Sequence, residues 1–138
     1  MLIRYTEAND VKKLADEIID RLGLFHVVPQ FVFCFRSTGS TSKRTIARIH
    51  GLGKIWQEAL NLPPSYTIEV ISERYDKLSQ TGKEKTIIHE LLHVPRGFAG
   101  GFRPHKGYID ERIVDDLYRK LQEHRKNRTQ TAGQNAFF

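Results

Sequence analysis

The sequence predicts an α+β domain, in which a small and mostly antiparallel sheet of about three strands packs on a central helix flanked by an N-terminal and a C-terminal helix. Apolar residues recur at helical spacing in three separate segments. Short runs rich in β-branched and aromatic residues lie between the first two of these segments. The 138 residues suffice for one hydrophobic core. We therefore expect a single domain over residues 1–126 and a flexible C-terminal tail over residues 127–138.

The first helix is predicted over residues 6–22. Thr6 can cap its start, because a threonine hydroxyl accepts a hydrogen bond from the first turn, and Gly23 stands where a helix commonly ends.

Three strands are predicted to follow, over residues 27–36, 45–50 and 66–72. Pro29 has no amide hydrogen, so the first paired residue of the first strand is expected at about position 30. Residues 54–60 fit either a short helix or a continued extended segment.

The second main helix is predicted over residues 79–94, with Ser79 as its cap and Pro95 as its stop. A glycine-rich irregular segment follows, and residues 110–126 are predicted as the third helix because their apolar residues again repeat at helical spacing.

Composition excludes several classes of protein. Cys34 is the single cysteine, which rules out an internal disulfide and favours a reducing, cytoplasmic location. No apolar run approaches the roughly 18 residues of a membrane-spanning helix, and the N-terminal residues lack the pattern of a signal peptide. The net charge of +6 permits an acidic partner such as nucleic acid without requiring one.

The sequence His89-Glu90-Leu91-Leu92-His93 carries the predicted chemistry. Residues four apart lie on the same face of a helix, so the two imidazoles can bind one Zn²⁺ ion. Glu90 then stands beside the ion, where it can act as the general base for a metal-activated water.

A catalytic zinc site usually has three protein ligands and one open position, so a third ligand must come from elsewhere. A short-spacer pattern would need a histidine at position 99, which is occupied by Ala99. His105 is the next candidate, and the glycine-rich segment before it can turn the chain back toward the helix. Carboxylates of the following helix remain alternatives, namely Asp110, Glu111 and above all Asp115 and Asp116. Arg103 and Tyr108 flank His105 and are candidates for stabilising a developing oxyanion.

Residues 87–95 (IIHELLHVP) and 100–105 (GGFRPH) together resemble the putative metallopeptidases of phages and archaea, which are related to the SprT-like zinc proteases of the zincin class. The resemblance extends at pattern level over about residues 5–126. It implies a zincin-like fold, zinc ligation by His89, His93 and His105, catalysis by Glu90, and binding of an extended peptide at the edge of the sheet. SprT-like proteases act on DNA-bound proteins, but this chain has no recognisable zinc ribbon or other DNA-binding module.

We therefore predict a zinc-dependent metallopeptidase that acts on peptide or protein substrates. Two alternatives use the same ion: an amidase of small substrates, and a zinc-stabilised module that binds nucleic acid or protein without catalysis. A structural zinc site would close with four protein ligands. The sequence offers no good fourth ligand, which favours catalysis.

Overall fold

The computed structural model of the protein describes residues 2–105 and 109–135. In this part of the chain the strands are β1 (Arg4–Glu7), β2 (Val32–Thr38), β3 (Ala47–Gly51) and β4 (Tyr66–Ile71). The helices are α1 (Asn9–Arg21), α2 (Lys54–Leu60), α3 (Ser72–Tyr75), α4 (Gln80–Leu92) and α5 (Glu111–Asn135). None of the described helices is both long and apolar enough to cross a membrane.

The strands form one mixed sheet in the order β1-β2-β4-β3. β1 and β2 are antiparallel, β2 and β4 are parallel, and β4 and β3 are antiparallel. The predicted α+β class and the mostly antiparallel sheet are therefore confirmed. Within the described residues β3 pairs only with β4, so β3 has a free edge, and it contacts α4.

The prediction of about three strands is corrected to four, because β1 lies where the sequence predicted the start of the first helix. Thr6 pairs with Arg36 of β2 and does not cap a helix. Ala8 is the N-cap residue of α1, and it makes no side-chain capping bond. All four residues of β1 are exposed and show no buried alternation. β1 is a strand because its backbone pairs with β2, and no local sequence pattern reveals such pairing.

Other element boundaries also differ from the predicted ones. Pro29–Phe31 forms one 3-10 turn, so β2 begins only at Val32. The undecided segment 54–60 is the helix α2. The third predicted helix was expected to end at position 126, whereas α5 continues to Asn135. Residues 127–135 carry no apolar stripe, but adding residues to an established helix is easy once its first turn has formed. That residues 127–138 form a flexible tail stays a prediction.

One face of the sheet packs against α1 and α4 to form the core. Val32 and Cys34 of β2 point into it, and burial raises the pKa of the Cys34 thiol to about 12. The apolar side of α4, which includes Ile87, Ile88 and Leu91, is at most 1% exposed. This packing fixes the rotation of α4, and with it the direction in which the opposite side of the helix faces.

The N-terminal half of α4 is secured by two separate contacts. The Ser79 hydroxyl accepts a hydrogen bond from the backbone N–H of Gly82 at 3.1 Å, which confirms the predicted cap. On the buried side of the first turns, Glu84 is only 3% exposed and accepts two hydrogen bonds of 2.9 Å from Arg125 of α5. The same guanidinium binds both carboxylate oxygens of Glu17 on α1. Arg125 thus links α5 to both α4 and α1.

Candidate metal centre

The helical half of the site lies on the last turn of α4. His89 and the C-cap residue His93 are one turn apart, and the centroids of their rings are separated by 5.3 Å. His93 keeps right-handed helical angles, with φ −69° and ψ −19°, so its side chain follows the same face as that of His89. The two rings therefore face one point from a rigid base.

His105 brings a third imidazole to this point. Its Nε2 atom lies 3.3 Å from the Nε2 atom of His89, and its ring centroid lies 4.6 Å from that of His93. One nitrogen from each of the three histidines falls within 4.8 Å of the others. In the described residues this is the one group of three or more histidine, cysteine or carboxylate side chains with metal-ligand spacing.

The closest pair of imidazole nitrogens has the spacing of two ligands on one metal ion such as zinc. With zinc–nitrogen bonds of about 2.0–2.1 Å, two nitrogens of a tetrahedral site stand about 3.3–3.4 Å apart. The Nε2 atoms of His89 and His105 have this separation, at 3.3 Å. Burial, followed by the charges of His93 and His105, lowers the pKa of His89, which favours the neutral imidazole that a metal requires.

The hydrogen-bond partner of His93 sets which of its nitrogens is available. Its Nδ1 atom lies 3.0 Å from the carbonyl oxygen of Arg103. Because a carbonyl oxygen only accepts, Nδ1 must carry the hydrogen, and the lone pair is left on Nε2. Metal-ligating histidines are commonly oriented in this way by a hydrogen bond from the second ring nitrogen.

The loop that carries His105 is folded back onto the helix and the sheet. The backbone N–H of Arg103 donates to the carbonyl oxygen of His93 at 2.7 Å, which makes a reciprocal pair with the bond just described. Further back, Phe98 and Gly100 adopt positive φ angles of 42° and 103°. The glycine-rich segment therefore does turn the chain back beneath the helix, as the sequence suggested.

Two residues that contact this loop were not singled out from the sequence. The Tyr66 hydroxyl accepts a hydrogen bond from Gly100 N–H at 2.9 Å and donates one to the Gly101 carbonyl at 2.7 Å. The side-chain amide of Gln57 donates to the carbonyl of Ala99 at 2.9 Å. In the sequence Tyr66 looks like any other strand residue, and Gln57 lies 42 positions from Ala99. No local sequence pattern therefore predicts either contact.

Glu90 is a buried carboxylic acid beside the three histidines. It is only 7% exposed, and burial raises its pKa to about 7. A cation held by the histidines would oppose this shift, because a nearby positive charge favours the carboxylate.

Two cavities share three lining residues at this point, and together they are called the cleft. One has a volume of about 730 Å³ and extends toward α5, and the other has a volume of about 450 Å³ and extends toward the His105 loop. Ala47 of β3, His89 and Glu90 line both cavities. Residues of the free edge strand β3 and the buried Glu90 therefore border the same two cavities.

The remaining predicted site residues are distributed around the cleft. Arg103 lines the smaller cavity, while Tyr108 lies outside the described residues. Among the alternative ligands, Asp115 pairs with Lys85 at 2.9 Å and Asp116 pairs with Arg119. The Asp110 carboxylate accepts a hydrogen bond from Ile113 N–H at the start of α5. None of these carboxylates belongs to the three-histidine group.

Comparison with known proteins supplies one match. The sequence profile of a family described as putative phage metallopeptidase matches residues 3–122. No curated protein and no solved structure matches the chain. A metallopeptidase family implies a bound metal ion and a peptide or protein substrate.

Proposed function

The chain belongs to the putative phage metallopeptidase family, and on that premise we propose that it is a zinc-dependent peptidase with His89, His93 and His105 as ligands and Glu90 as general base. The observation that carries this proposal is the meeting of three imidazoles, with a 3.3 Å contact between two Nε2 atoms, beside a carboxylate that is 7% exposed. Three nitrogen ligands and one open position are the pattern of catalytic zinc sites.

In this proposal the histidines bind the metal and Glu90 transfers the proton. Zinc bound here would supply Lewis acidity, polarising a carbonyl and lowering the pKa of water at the site. Glu90 lines both arms of the cleft, so its carboxylate can accept a proton from an attacking water and then deliver it to the leaving amine. Arg103 lines the arm nearer His105, where a guanidinium can stabilise negative charge on the carbonyl oxygen.

The substrate is proposed to be an extended peptide that lies along β3. The outer edge of this strand is unpaired within the described residues, and residues 46–49 line the two cavities beside His89 and Glu90. A peptide added to a free strand edge is held by main-chain hydrogen bonds, which are independent of its sequence.

The other functions predicted from the sequence have less support. An amidase of small substrates would use the same ion and base, but it would not require two cavities bordered by an edge strand. DNA-bound substrates are not part of this proposal, because Arg119 and Arg125 of the basic C-terminal helix are engaged by carboxylates of the protein. A cytoplasmic location stays a prediction from the single cysteine.

The test combines metal analysis with one substitution. Purified protein should contain about one zinc per chain. Glu90→Gln should retain the zinc and lower the hydrolysis of quenched fluorogenic peptides by about 10²–10⁴-fold, because it removes the base. Glu123→Gln, at an exposed position on α5, is the matched control and should keep full activity. A protein that cannot be loaded with zinc would overturn the ligand set, and an active Glu90→Gln enzyme would overturn the role of the base.

A further inference from the structure

We propose that Tyr66 is a positioning residue whose hydroxyl fixes the Gly100–Gly101 turn and thereby the location of His105 at the metal centre. This inference rests on the proposed function, in which His105 is the third ligand. Tyr66 itself does not touch the reacting atoms, and it acts through the loop.

Tyr66 has the properties of a rigid anchor. It begins β4, which lies between β2 and β3 in the sheet, and it is 1% exposed. Its ring packs against Phe98 and Phe102, with centroid distances of 4.9 and 5.8 Å. Its hydroxyl both accepts from Gly100 and donates to Gly101, so two successive residues of the loop are bound to one atom of the sheet.

The backbone around this anchor is packed too closely for any side chain. A Cβ atom on Gly51 would lie 2.3 Å from the carbonyl oxygen of Gly100, and a Cβ atom on Gly100 would lie 2.3 Å from that of Leu52. Gln57 closes the other side by donating to the carbonyls of Leu52 and Ala99 at 2.7 and 2.9 Å. The loop therefore rests directly on the end of β3.

The distance along the chain from this anchor to His105 is short. Gly101 is followed two residues later by Arg103, which is paired with His93 through both its N–H and its C=O groups. His105 comes two residues after Arg103, and the intervening Pro104 restricts the backbone. An untethered loop would have to be ordered when the metal binds, at a cost in conformational entropy. Anchoring it beforehand raises the affinity for the ion.

A double-mutant cycle on zinc affinity tests this role. Dissociation constants for Zn²⁺ would be measured by chelator competition for the wild type, Tyr66→Phe, His105→Ala and the double variant. Tyr66→Phe should weaken binding about tenfold, because two hydrogen bonds are lost. In the His105→Ala background it should have no further effect, because the residue through which it acts is gone. Tyr75→Phe, at another buried tyrosine, should leave the affinity unchanged.

Two outcomes overturn the proposal: an unchanged affinity in Tyr66→Phe, or an equal loss in the His105→Ala background. If Tyr66→Phe does not fold, Gln57→Ala on the exposed helix α2 should show the same dependence on His105 with a smaller effect.

Amide hydrogen exchange on the metal-free protein separates this proposal from the proposed function. The Gly100 amide should exchange faster in Tyr66→Phe than in the wild type, whether or not zinc binds. If the wild type binds no zinc and the Gly100 amide still exchanges faster in Tyr66→Phe, the proposed function is refuted and the anchor is retained. Equal exchange at Gly100 in the two proteins would refute the anchor.

Discussion

The two halves of the candidate metal centre are built in different ways. His89 and Glu90 lie in the last turn of α4 and His93 is its C-cap residue, so their relative placement follows from helical geometry. His105 stands on a loop held by β4, the end of β3, α2 and the C-cap of α4. One half thus depends on a single regular element, whereas the other depends on several contacts between residues distant in the sequence.

The largest expected effect comes from removing one ligand from each half. Structural zinc sites with four ligands bind with about 10–16 kcal/mol, so the loss of one ligand should weaken binding about a thousandfold. We expect this loss for both His89→Ala and His105→Ala, in zinc affinity measured by chelator competition. His105→Ala retains the preorganised helical pair and should keep the higher residual affinity.

The control for this pair is His124→Ala, because His124 contacts Arg21 and lies outside the three-histidine group. Unchanged zinc affinity in His105→Ala would contradict the loop ligand and direct attention to Asp115 or Asp116.

The second largest effect is expected from removing Arg125, which contacts Glu84 of α4. Arg125→Ala should lower the free energy of unfolding by about 3 kcal/mol, because it leaves the buried Glu84 without its cation. Chemical denaturation measures this change. Arg119→Ala is the matched control on the same helix, since Arg119 is 67% exposed and pairs with Asp116 at the surface. Arg119→Ala should cost less than about 1 kcal/mol. An equal loss in both variants would contradict the role of Arg125 in joining the three helices.

The same substitution should change the dependence of stability on pH. Hydrogen bonding to Arg125 is the main cause that holds the pKa of Glu17 below its ordinary value of 4.5, although burial opposes it. A lowered pKa in the folded state stabilises the protein above that ordinary value, and this stability is lost as the pH falls through the folded pKa. Arg125→Ala should therefore lose less stability than the wild type on acidification below about pH 4.5. Parallel curves for the two proteins would refute this.

The third effect concerns the loop. Gly100→Ala should destabilise the protein by about 2 kcal/mol, because the added Cβ meets a backbone oxygen at 2.3 Å and φ is +103°. Gly97→Ala lies in the same loop and meets nothing within 4 Å, so it should be close to neutral in thermal denaturation. If both variants behave alike, the close packing of the loop on β3 is not what holds it.

The smallest effect is expected at the start of α4. Ser79→Ala removes the hydrogen bond to Gly82 N–H and should cost about 1 kcal/mol in unfolding free energy. Ser65→Ala, which removes a bond to Pro63 in an exposed turn, should cost about half of that or less. Zinc affinity should stay unchanged in both variants, because packing of the apolar side of α4 still fixes the ligand pair. A loss of affinity in Ser79→Ala would show that the helical half also depends on its cap.

The correct and incorrect predictions for the fold have a common physical origin. α4 could be predicted with its cap because its apolar residues, Ser79 and Pro95 all act within a few positions of one another. β1 could not, because its four exposed residues become a strand only by pairing with residues 35–38. The continuation of α5 to Asn135 was missed because a helix can propagate without the apolar stripe that reveals it.

The sequence by itself determined the helical pair of histidines and the carboxylate between them, because a four-residue spacing on a helix places side chains on one face whatever surrounds it. It left the third ligand open among His105 and several carboxylates. Only the tertiary structure brings His105 within 3.3 Å of His89, and pairs Asp115 with Lys85 and Asp116 with Arg119. A loop has no intrinsic period, so its course is decided by what it packs against, here the Tyr66 hydroxyl and the glycine contact at the end of β3.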